Sequence, residues 1–536
     1  MPTATDEVMT ATRAAKRAGH GFVRVGRWLG RWIRGELVKR TGGPARARVI
    51  TLFGAVLALS GADAATVGAV APQLERALHI GNTKVGLLSS VALLIGAVFT
   101  IPVGMLIDRI RRIPMLSLSI VLWSVASLAS AFAGSYSTLL LTRFALGAVT
   151  ATAGPAIASL TGDYFPAGER GRVYAYILGG EIVGTAAGFI IGGSVASLIT
   201  WRAAFVLLAI PGFWLARELY RTVPEPLRGG QSRLAPGVMD LKGAVAAAAA
   251  RGPSEEEPSD HEAPGAGDDL AAEAVRKLGV EADPRLVLVE DPRTMGIMAA
   301  VRYILSIPTN ILLIISSSLG YFYFAGLSTF ALLFVRGQYH TSQATAELVL
   351  ALLVAGAMAG TLISGRVTDL MLRDGFLEVR VWVPGFCYIG AAALLVPGVL
   401  GSHLTPAVWF DVAGAALLSA ANPPLDAARL DIMPAGLWGR AESTRTVLRS
   451  LAQALAPVCF GGLADLIAGI APKQAPIGTH PALVSPSAAR GLEISFLVLL
   501  VTLAAAGVIL LRARSTYPSD VATAAASNQG SPSPTV

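Results

Sequence analysis

The sequence is poor in charge for its length. Only 15% of its 536 residues are Asp, Glu, Lys or Arg, whereas 53% are hydrophobic, and a soluble protein is usually about one-quarter charged. A single water-soluble core rarely grows to this size. The surplus apolar surface therefore requires a solvent other than water.

Cysteine, clustered histidine and nucleotide-binding loops are scarce or missing. The two cysteines, Cys387 and Cys459, lie in apolar runs, which favours core positions over a disulfide or metal site. The six histidines lack ligand spacing. No G-x-x-x-x-G-K-[ST] loop occurs, which argues against an ATP-driven pump, and no nucleophile–base cluster is found. We expect no enzyme activity, no cofactor and no metal.

Long apolar runs are what the sequence has in abundance. About 20 apolar residues cross a bilayer as a helix. Twelve candidate spans lie near 49–71, 86–107, 114–133, 137–159, 172–198, 203–219, 309–335, 345–368, 380–400, 406–421, 444–468 and 492–512. The sequence therefore predicts an all-α membrane protein with twelve transmembrane helices.

Lys and Arg are distributed unevenly between the loops. Residues 1–48 carry eleven of them, and the loop after the second span carries three more. Arg445 and Arg449, at the start of the eleventh span, count toward the same side. Because basic segments stay in the cytoplasm, we predict a cell (inner) membrane protein with both termini cytoplasmic.

The spans divide six and six around a polar stretch, residues 224–308. Its composition predicts a largely disordered cytoplasmic linker with a surface helix near its end. The two bundles are then 49–223 and 309–512. The basic tail 1–48 suits either an amphipathic helix on anionic lipid or a solvated tail, and 513–536 is predicted to be disordered.

Two motifs occur twice, which indicates duplicated halves. A Gly-Asp-Arg motif follows the second span and recurs 261 residues later after the eighth. Its members are Gly104, Asp108, Arg109 and Arg112, and then Gly365, Asp369 and Arg373. The stretch Asp163–Arg172 recurs 268 residues later as Asp431–Arg440, with six identical positions. We therefore predict two pseudo-symmetric six-helix bundles.

These motifs fall at the predicted cytoplasmic border. There a carboxylate can accept bonds from a helix N-terminus and pair with Arg, so we expect a latch in which Arg112 and Arg373 reach the opposite half. The alternative is that these Arg residues only fix the topology. At the end of the tenth span, prolines break the helix, and Asp426, Arg429 and Asp431 either form a gate cluster or mark the helix end.

The loop after the second span resembles the signature loop of the major facilitator superfamily. Arg143 to Gly147 resembles that family's R-x-x-x-G motif, and the pair Trp201-Arg202 is common there. The resemblance covers 49–512 apart from the linker. It implies the twelve-helix major facilitator fold and transport by alternating access. Within the superfamily, Asp63 and the residues that follow it resemble the first helix of spinster-like carriers, which implies a lysolipid or sphingolipid substrate.

Three ionisable residues lie within spans of the first half, and such residues are functional hypotheses by default. They are Asp63, Arg143 and Glu181. Asp63 and Arg143 reach similar heights, so we expect them to pair in the central cavity. We predict that Asp63 is the proton-coupling site, that Arg143 is its switchable partner and that Glu181 is a second candidate. The alternative is a permanent structural ion pair.

The second half offers cavity candidates that helix packing explains equally well. They are Asn310, Tyr321, Phe324, Asp411 and Gln453. No strong net charge marks the expected cavity, which favours an amphipathic or apolar substrate over a polyanion.

The sequence therefore predicts a proton-coupled secondary transporter. Its expected partners are a small-molecule or lipid-like substrate, protons and membrane lipids, with no nucleic acid, and we expect a monomer. The alternatives are a multidrug-type proton antiporter and a non-transporting membrane sensor.

Overall fold

The computed structural model describes most of the chain. The described residues are 41–107, 110–165, 167–226, 237–251, 270–288, 295–434, 437–470 and 486–530, together with Gly35, Val38, Lys39 and Leu234. The predicted amphipathic segment of the basic tail lies almost entirely outside them. The last residues of the basic tail, 44–48, form the start of the first long helix, which begins at Pro44 rather than near residue 49.

Twelve helices are long and apolar enough to cross a membrane, which confirms the predicted fold class. We number them as spans 1 to 12. Their bounds are Pro44–Leu78, Asn82–Ile107, Arg112–Ala131, Tyr136–Tyr164, Ala167–Leu198, Trp201–Thr222, Pro308–Tyr339, Gln343–Arg373, Val379–Leu400, Leu404–Asp431, Trp438–Ile470 and Pro486–Ala513. No β-strand occurs in the part of the chain that is described.

Spans 4 and 10 are each broken at equivalent positions. Span 4 consists of helices Tyr136–Thr150 and Ala153–Tyr164, and span 10 of Leu404–Ala420 and Asn422–Asp431. Pro155 follows the first break and Pro423 the second, 268 residues apart. Because proline cannot donate a backbone hydrogen bond and clashes with the preceding turn, the duplicated proline accounts for both breaks.

Close helix packing in the first bundle centres on spans 1 and 5. A Cβ added to Gly184 would lie 1.9 Å from the carbonyl oxygen of Ala58, and one added to Gly188 would lie 2.4 Å from that of Ala62. Only glycine permits this approach, as in other small-residue membrane interfaces. Span 5 then widens into a π-helical turn, Gly188–Gly192, before it ends at Leu198.

The two ends of the helices define two faces of the molecule. We call the face that carries Pro44 and Ala513 the terminal face, and the opposite one the far face. The halves meet through three pairs of spans, which are 2 with 11, 1 with 7, and 5 with 8.

Helices also form in the segments that the sequence predicts to be disordered. The linker contains Leu241–Arg251, Leu270–Leu278 and Ile297–Ile304, the last close to the expected surface helix. Beyond span 12, helix Tyr517–Gly530 packs on Leu270–Leu278. Its alanine-rich sequence favours helix, and docking buries Tyr517, the continuous stretch 520–524 and Ser527. Tertiary packing, which composition does not reveal, stabilises the helix.

Candidate transport site

Asp63 and Arg143 form an ion pair inside the first bundle. The Nη1 atom of Arg143 donates to both carboxylate oxygens of Asp63 at 3.2 Å. Its Nη2 atom donates to Ser130 Oγ at 2.7 Å, and its guanidinium group lies 4.9 Å from the ring centroid of Phe205. The exposed fraction is only 5% for Asp63 and 1% for Arg143. The sequence thus predicts the pairing correctly.

The position of this pair differs from the expected one. Ser130 and Phe205 lie within about one turn of the far ends of spans 3 and 6. The pair therefore sits toward the far face, enclosed by spans 1, 3, 4 and 6, and it does not line the space between the halves. Burial of both groups is tolerable because each charge is compensated by the other and by hydrogen bonds.

Hydrogen bonds between the halves close the far face where spans 2 and 11 meet. Asp465 accepts from the backbone N–H and the side-chain amide of Asn82 at 3.1 and 3.0 Å. It also accepts from the backbone N–H and the hydroxyl of Thr83 at 2.8 and 2.6 Å. A Cβ added to Gly461 would lie 2.4 Å from the carbonyl oxygen of Asn82. The second half therefore caps the N-terminus of span 2.

A second contact on the far face joins spans 5 and 8. Ser194 Oγ donates to Glu347 Oε2 at 2.6 Å, and Gln343 donates to the other carboxylate oxygen at 3.0 Å. The Nη1 atom of Arg336, on span 7, donates in turn to Gln343 Oε1 at 2.6 Å. Spans 1 and 7 also touch closely, since a Cβ added to Gly68 would lie 2.8 Å from two carbonyl oxygens of span 7.

A different set of groups faces the space between the halves at mid-depth. Glu181 on span 5 is exposed and interacts electrostatically with Arg449 on span 11. The guanidinium group of Arg449 lies 4.5 Å from the ring centroid of Tyr321, which makes an edge contact with Phe324. Gln453 follows Arg449 by one helical turn. Two predicted cavity residues, Tyr321 and Phe324, thus lie together beside a cation.

Asn310 and Asp411 lie elsewhere. The Asn310 amide donates to the carbonyl oxygen of Ile304 at 2.7 Å, so it joins span 7 to the linker helix at the terminal face. Asp411 is buried inside the second bundle beside Gly398, where an added Cβ would lie 1.9 Å from its Oδ1 atom. It borders a cavity of about 20 Å³ with Tyr323, whose hydroxyl is buried without a hydrogen-bond partner.

Asp411 is the counterpart of Arg143 in the duplicated architecture. The two are separated by 268 residues, the offset of the second repeated motif. The first bundle therefore holds a compensated ion pair where the second holds a carboxylate that makes no ion pair among the described residues. The two halves have the same helix architecture but differ in the charged groups buried inside them.

The duplicated gate motifs are described in part. Asp108 and Arg109 lie outside the described residues, as do the side chains of Asp369 and Arg373. Gly104 lies in span 2 and Gly365 in span 8, where an added Cβ would meet Pro423 at an ordinary 3.7 Å.

Arg112 makes its contacts within its own half. Its Nε atom donates to Glu225 at 3.0 Å and its Nη1 atom to Ser159 at 2.9 Å, and it also pairs with Asp163. Among the described residues, it makes no bridge to the opposite half of the kind that the sequence led us to expect.

Asp426, Arg429 and Asp431 divide into two groups rather than one cluster. Asp426 pairs with Arg429, whose Nη1 atom lies 3.7 Å from Glu442. Asp431 instead accepts from Arg380 at 2.5 and 2.6 Å and from the Tyr517 hydroxyl. Span 9 and the tail helix, which are distant in sequence, supply these partners.

No group of three or more His, Cys, Asp or Glu side chains with the geometry of a metal site occurs among the residues described. What the site holds is a buried ion pair, an exposed glutamate and a cation beside aromatic rings. These groups are suited to binding and proton exchange.

Sequence comparison covers most of this architecture. Residues 52–457 match the Major Facilitator Superfamily. The chain belongs to the major facilitator superfamily. Membership of this transporter superfamily confirms that the chain is a multi-pass membrane protein and not an enzyme.

Individual proteins match this chain over shorter stretches. The 4-hydroxybenzoate transporter PcaK of Pseudomonas aeruginosa is 30% identical over 186 residues, which cover 34% of this chain and 41% of that protein. Human protein spinster homolog 1 is 30% identical over 174 residues, which cover 32% of this chain and 33% of that protein. The matched part thus spans about two fifths or less of these relatives.

A solved structure matches nearly the whole fold. It is a bacterial homologue of the human lysosomal transporter Spinster, in an inward-facing and unoccupied conformation. The TM-score is 0.68 at 21% identity, over 89% of this chain and 98% of that one. This similarity shows the major facilitator fold.

Two residues of the site were not among those that the sequence singles out. The sequence assigns Arg449 to the charges that fix the topology, because the apolar run of span 11 begins near residue 444. The helix begins at Trp438 instead, so Arg449 lies about 16 Å along it. Asp465, near the far end of the same span, has no repeated motif around it. Extending the predicted helix of span 11 through the polar stretch 438–443 would have placed Arg449 inside the membrane.

Proposed function

We propose that this chain is a secondary active transporter that moves a small amphipathic molecule across the membrane by alternating access, coupled to protons. One observation carries the proposal. The hydrogen bonds between the halves cluster on the far face, through Asp465 and Glu347, while Glu181 and Arg449 face each other at mid-depth. Two bundles that rock about such a midplane site expose it to one side at a time.

The Asp63–Arg143 pair is the proposed coupling element. Asp63 lies five residues from Gly68, where spans 1 and 7 touch. Separation of these spans on the far face would bring water to Asp63. A proton on the carboxylate would then remove the charge that compensates Arg143. Because a lone buried charge is costly, the protonation state of Asp63 biases the choice between the two conformations.

We assign the terminal face to the cytoplasm of the cell membrane. The basic residues at this face support the assignment, since short loops rich in Lys and Arg remain inside. Arg48 pairs with Glu218 here at 2.8 Å, and Arg514 pairs with Glu378. Fluorescent-protein and alkaline-phosphatase fusions after residue 536 test it, and we expect only the fluorescent fusion to be active.

Flux in proteoliposomes tests the coupling. The probes are radiolabelled 4-hydroxybenzoate, from the name of one relative, and dodecanoyl lysophosphatidate, an amphipath. We expect a pH gradient to drive accumulation in the wild type and in Asp374→Asn, a matched change at an exposed carboxylate. Asp63→Asn should retain exchange of the probe and lose pH-driven accumulation. Full pH-driven accumulation in Asp63→Asn would refute the coupling role.

A further inference from the structure

Arg449 is a cation without a charged partner in direct contact. It lies eleven residues into span 11 and stacks on Tyr321. Among the described residues no carboxylate approaches it within ion-pair distance, and its Nε atom is buried without a hydrogen-bond partner. A charge without a direct ion-pair partner at this depth is costly and marks a ligand path in membrane proteins.

A second guanidinium group lies close to Arg449. Arg429 interacts with it electrostatically, and the Nη1 atom of Arg429 is buried without a hydrogen-bond partner in the described part of the chain. The acids on this wall are already engaged, since Asp426 pairs with Arg429 and Glu442 pairs with Arg445. Among the described groups of this cluster, the three guanidinium groups of Arg429, Arg445 and Arg449 exceed the two carboxylates, so the sum of these charges is positive.

The opposite wall contributes one acid, Glu181, on span 5. It interacts with Arg449 across the space but does not form an ion pair with it. While Glu181 is ionised, it offsets the charge of Arg449. A proton on Glu181 would remove that offset and leave Arg449 free to attract an anion.

Aromatic rings lie beside the cation. Tyr321 lies under Arg449 and contacts Phe324 edge to face at 6.4 Å between ring centroids. Phe324 is 42% exposed. A charged group next to exposed rings suits a ligand that joins an anionic group to an apolar body.

We infer that Arg449, assisted by Arg429, binds the carboxylate or phosphate of an organic anion whose apolar part contacts Tyr321 and Phe324. The inference rests on the proposed function, and it differs from the sequence-based expectation that no strong charge marks the cavity. Arginine suits the role because its fixed fork of N–H donors matches both anions. The substrate class is therefore an anionic amphipath, which enters most readily when Glu181 carries a proton.

Binding to the purified full-length chain in nanodiscs tests the inference without any flux. The probes are 4-hydroxybenzoate for the carboxylate, dodecanoyl lysophosphatidate for the phosphate, and dodecanoyl lysophosphatidylcholine as the zwitterion with the same chain. We expect at least one anion to bind about tenfold or more tightly than the zwitterion. The anion that does so identifies the group. Equal binding of all three, or binding of the zwitterion alone, would overturn the inference.

Substitutions locate the site. Arg449→Gln should weaken the preferred anion about tenfold or more and leave the zwitterion unchanged, and Arg449→Lys should recover part of the loss. Arg490→Gln, at an exposed arginine of the far face, is the matched control. Equal weakening of both probes in Arg449→Gln would contradict an anion site.

A second variant keeps the test informative if Arg449→Gln does not fold. Glu181→Gln removes the opposing acid, so the preferred anion should bind several-fold more tightly. Weaker anion binding in Glu181→Gln would overturn the inference. These experiments measure binding only. A negative result would therefore overturn the anion site but not alternating access, which the flux assay on Asp63→Asn tests separately.

Discussion

Asp465 accepts a hydrogen bond from the backbone N–H of Thr83 at 2.8 Å, which places a carboxylate of the second half on the first turn of a helix in the first half. The unpaired N–H groups and the dipole of a helix N-terminus favour an anion there. Separation of the halves on this face would leave both the carboxylate and the helix end to water. We therefore expect this contact to act as a latch that favours the conformation closed on the far face.

The substitution Asp465→Asn should weaken this latch. It removes the charge and keeps one acceptor, and charge-assisted hydrogen bonds contribute about 1.5–3 kcal/mol. We expect the population open on the far face to rise about tenfold. Double electron–electron resonance measures this population through the distance between two spin labels. The labels are attached at Leu198→Cys and Ser402→Cys, both exposed on this face, in a protein from which Cys387 and Cys459 have been removed. An unchanged distance distribution, equal to that of Asp374→Asn, would exclude the latch.

Two adjacent glycines of span 11 provide a matched pair at the same interface. A Cβ at Gly461 would collide with the carbonyl oxygen of Asn82 at 2.4 Å, whereas one at Gly462 would meet nothing within 4 Å. Alanine favours helix over glycine by about 1 kcal/mol. Gly462→Ala should therefore keep or raise the thermal midpoint.

Gly461→Ala, in contrast, should lower the thermal midpoint or increase the far-open population in the same spin-label measurement. Thermal unfolding of the two purified variants, measured side by side, separates the effects. Equal midpoints and equal distance distributions would show that this interface does not require close packing.

The sequence predicts much of the architecture, since apolar length and repeated motifs are local properties. The prolines at the end of the tenth span, Pro423 among them, also indicate where span 10 breaks. The partnership of Asp63 with Arg143 was also predictable, because helix rise converts residue number into depth. These successes depend on regular helices of known length.

Contacts between distant segments were not predictable in the same way. The apolar run of span 11 begins after the polar stretch 438–443, so the sequence places Arg449 at a membrane border. The helix begins earlier, at Trp438. Asp465 and Asn82 are separated by 383 residues, and no local pattern records their contact. The direction in which Arg112 points likewise depends on Glu225, a residue beyond the end of span 6.

Removal of one partner of the buried ion pair should cost more than removal of both. Arg143→Gln leaves Asp63 charged, buried and without a compensating cation, and breaking a buried pair in this way costs about 3–5 kcal/mol. The double variant Asp63→Asn/Arg143→Gln has no such charge. We expect its thermal midpoint to lie above that of Arg143→Gln. Additive losses in the double-mutant cycle would show that the two groups are not coupled.

The tail helix should dock in a pH-dependent manner. Asp520 accepts from the backbone N–H of Thr309 at 2.9 Å, at the N-terminus of span 7. Burial raises the pKa of Asp520, although the hydrogen bonds from Thr309 lower it. The docked tail therefore holds a proton more tightly than a free tail does. Docking should weaken as the pH rises from about 4, the ordinary range of Asp, through the raised pKa.

Hydrogen exchange of the amides in Tyr517–Gly530 measures this docking. In the wild type, exchange should accelerate as the pH rises through that window, after correction for the intrinsic pH dependence of exchange. Asp520→Asn keeps an acceptor for Thr309 without the charge, so its protection should not vary with pH. Asp520→Ala loses the cap and should lose about 1 kcal/mol of protection. Parallel pH profiles for the wild type and Asp520→Asn would rule out Asp520 as the titrating group.

The central claim is that the two bundles alternate about a midplane site under the control of Asp63. Spin-label distances measured at both faces of one protein in nanodiscs test it most directly, with the far-face pair above and a terminal-face pair at Tyr220→Cys and Asp374→Cys, both exposed. We predict a short far-face and a long terminal-face distance in the wild type. In Asp63→Asn, a long far-face population should rise as the long terminal-face population falls by the same amount. Far-face and terminal-face distances that change independently of each other, or that stay the same in Asp63→Asn, would contradict alternation controlled by Asp63.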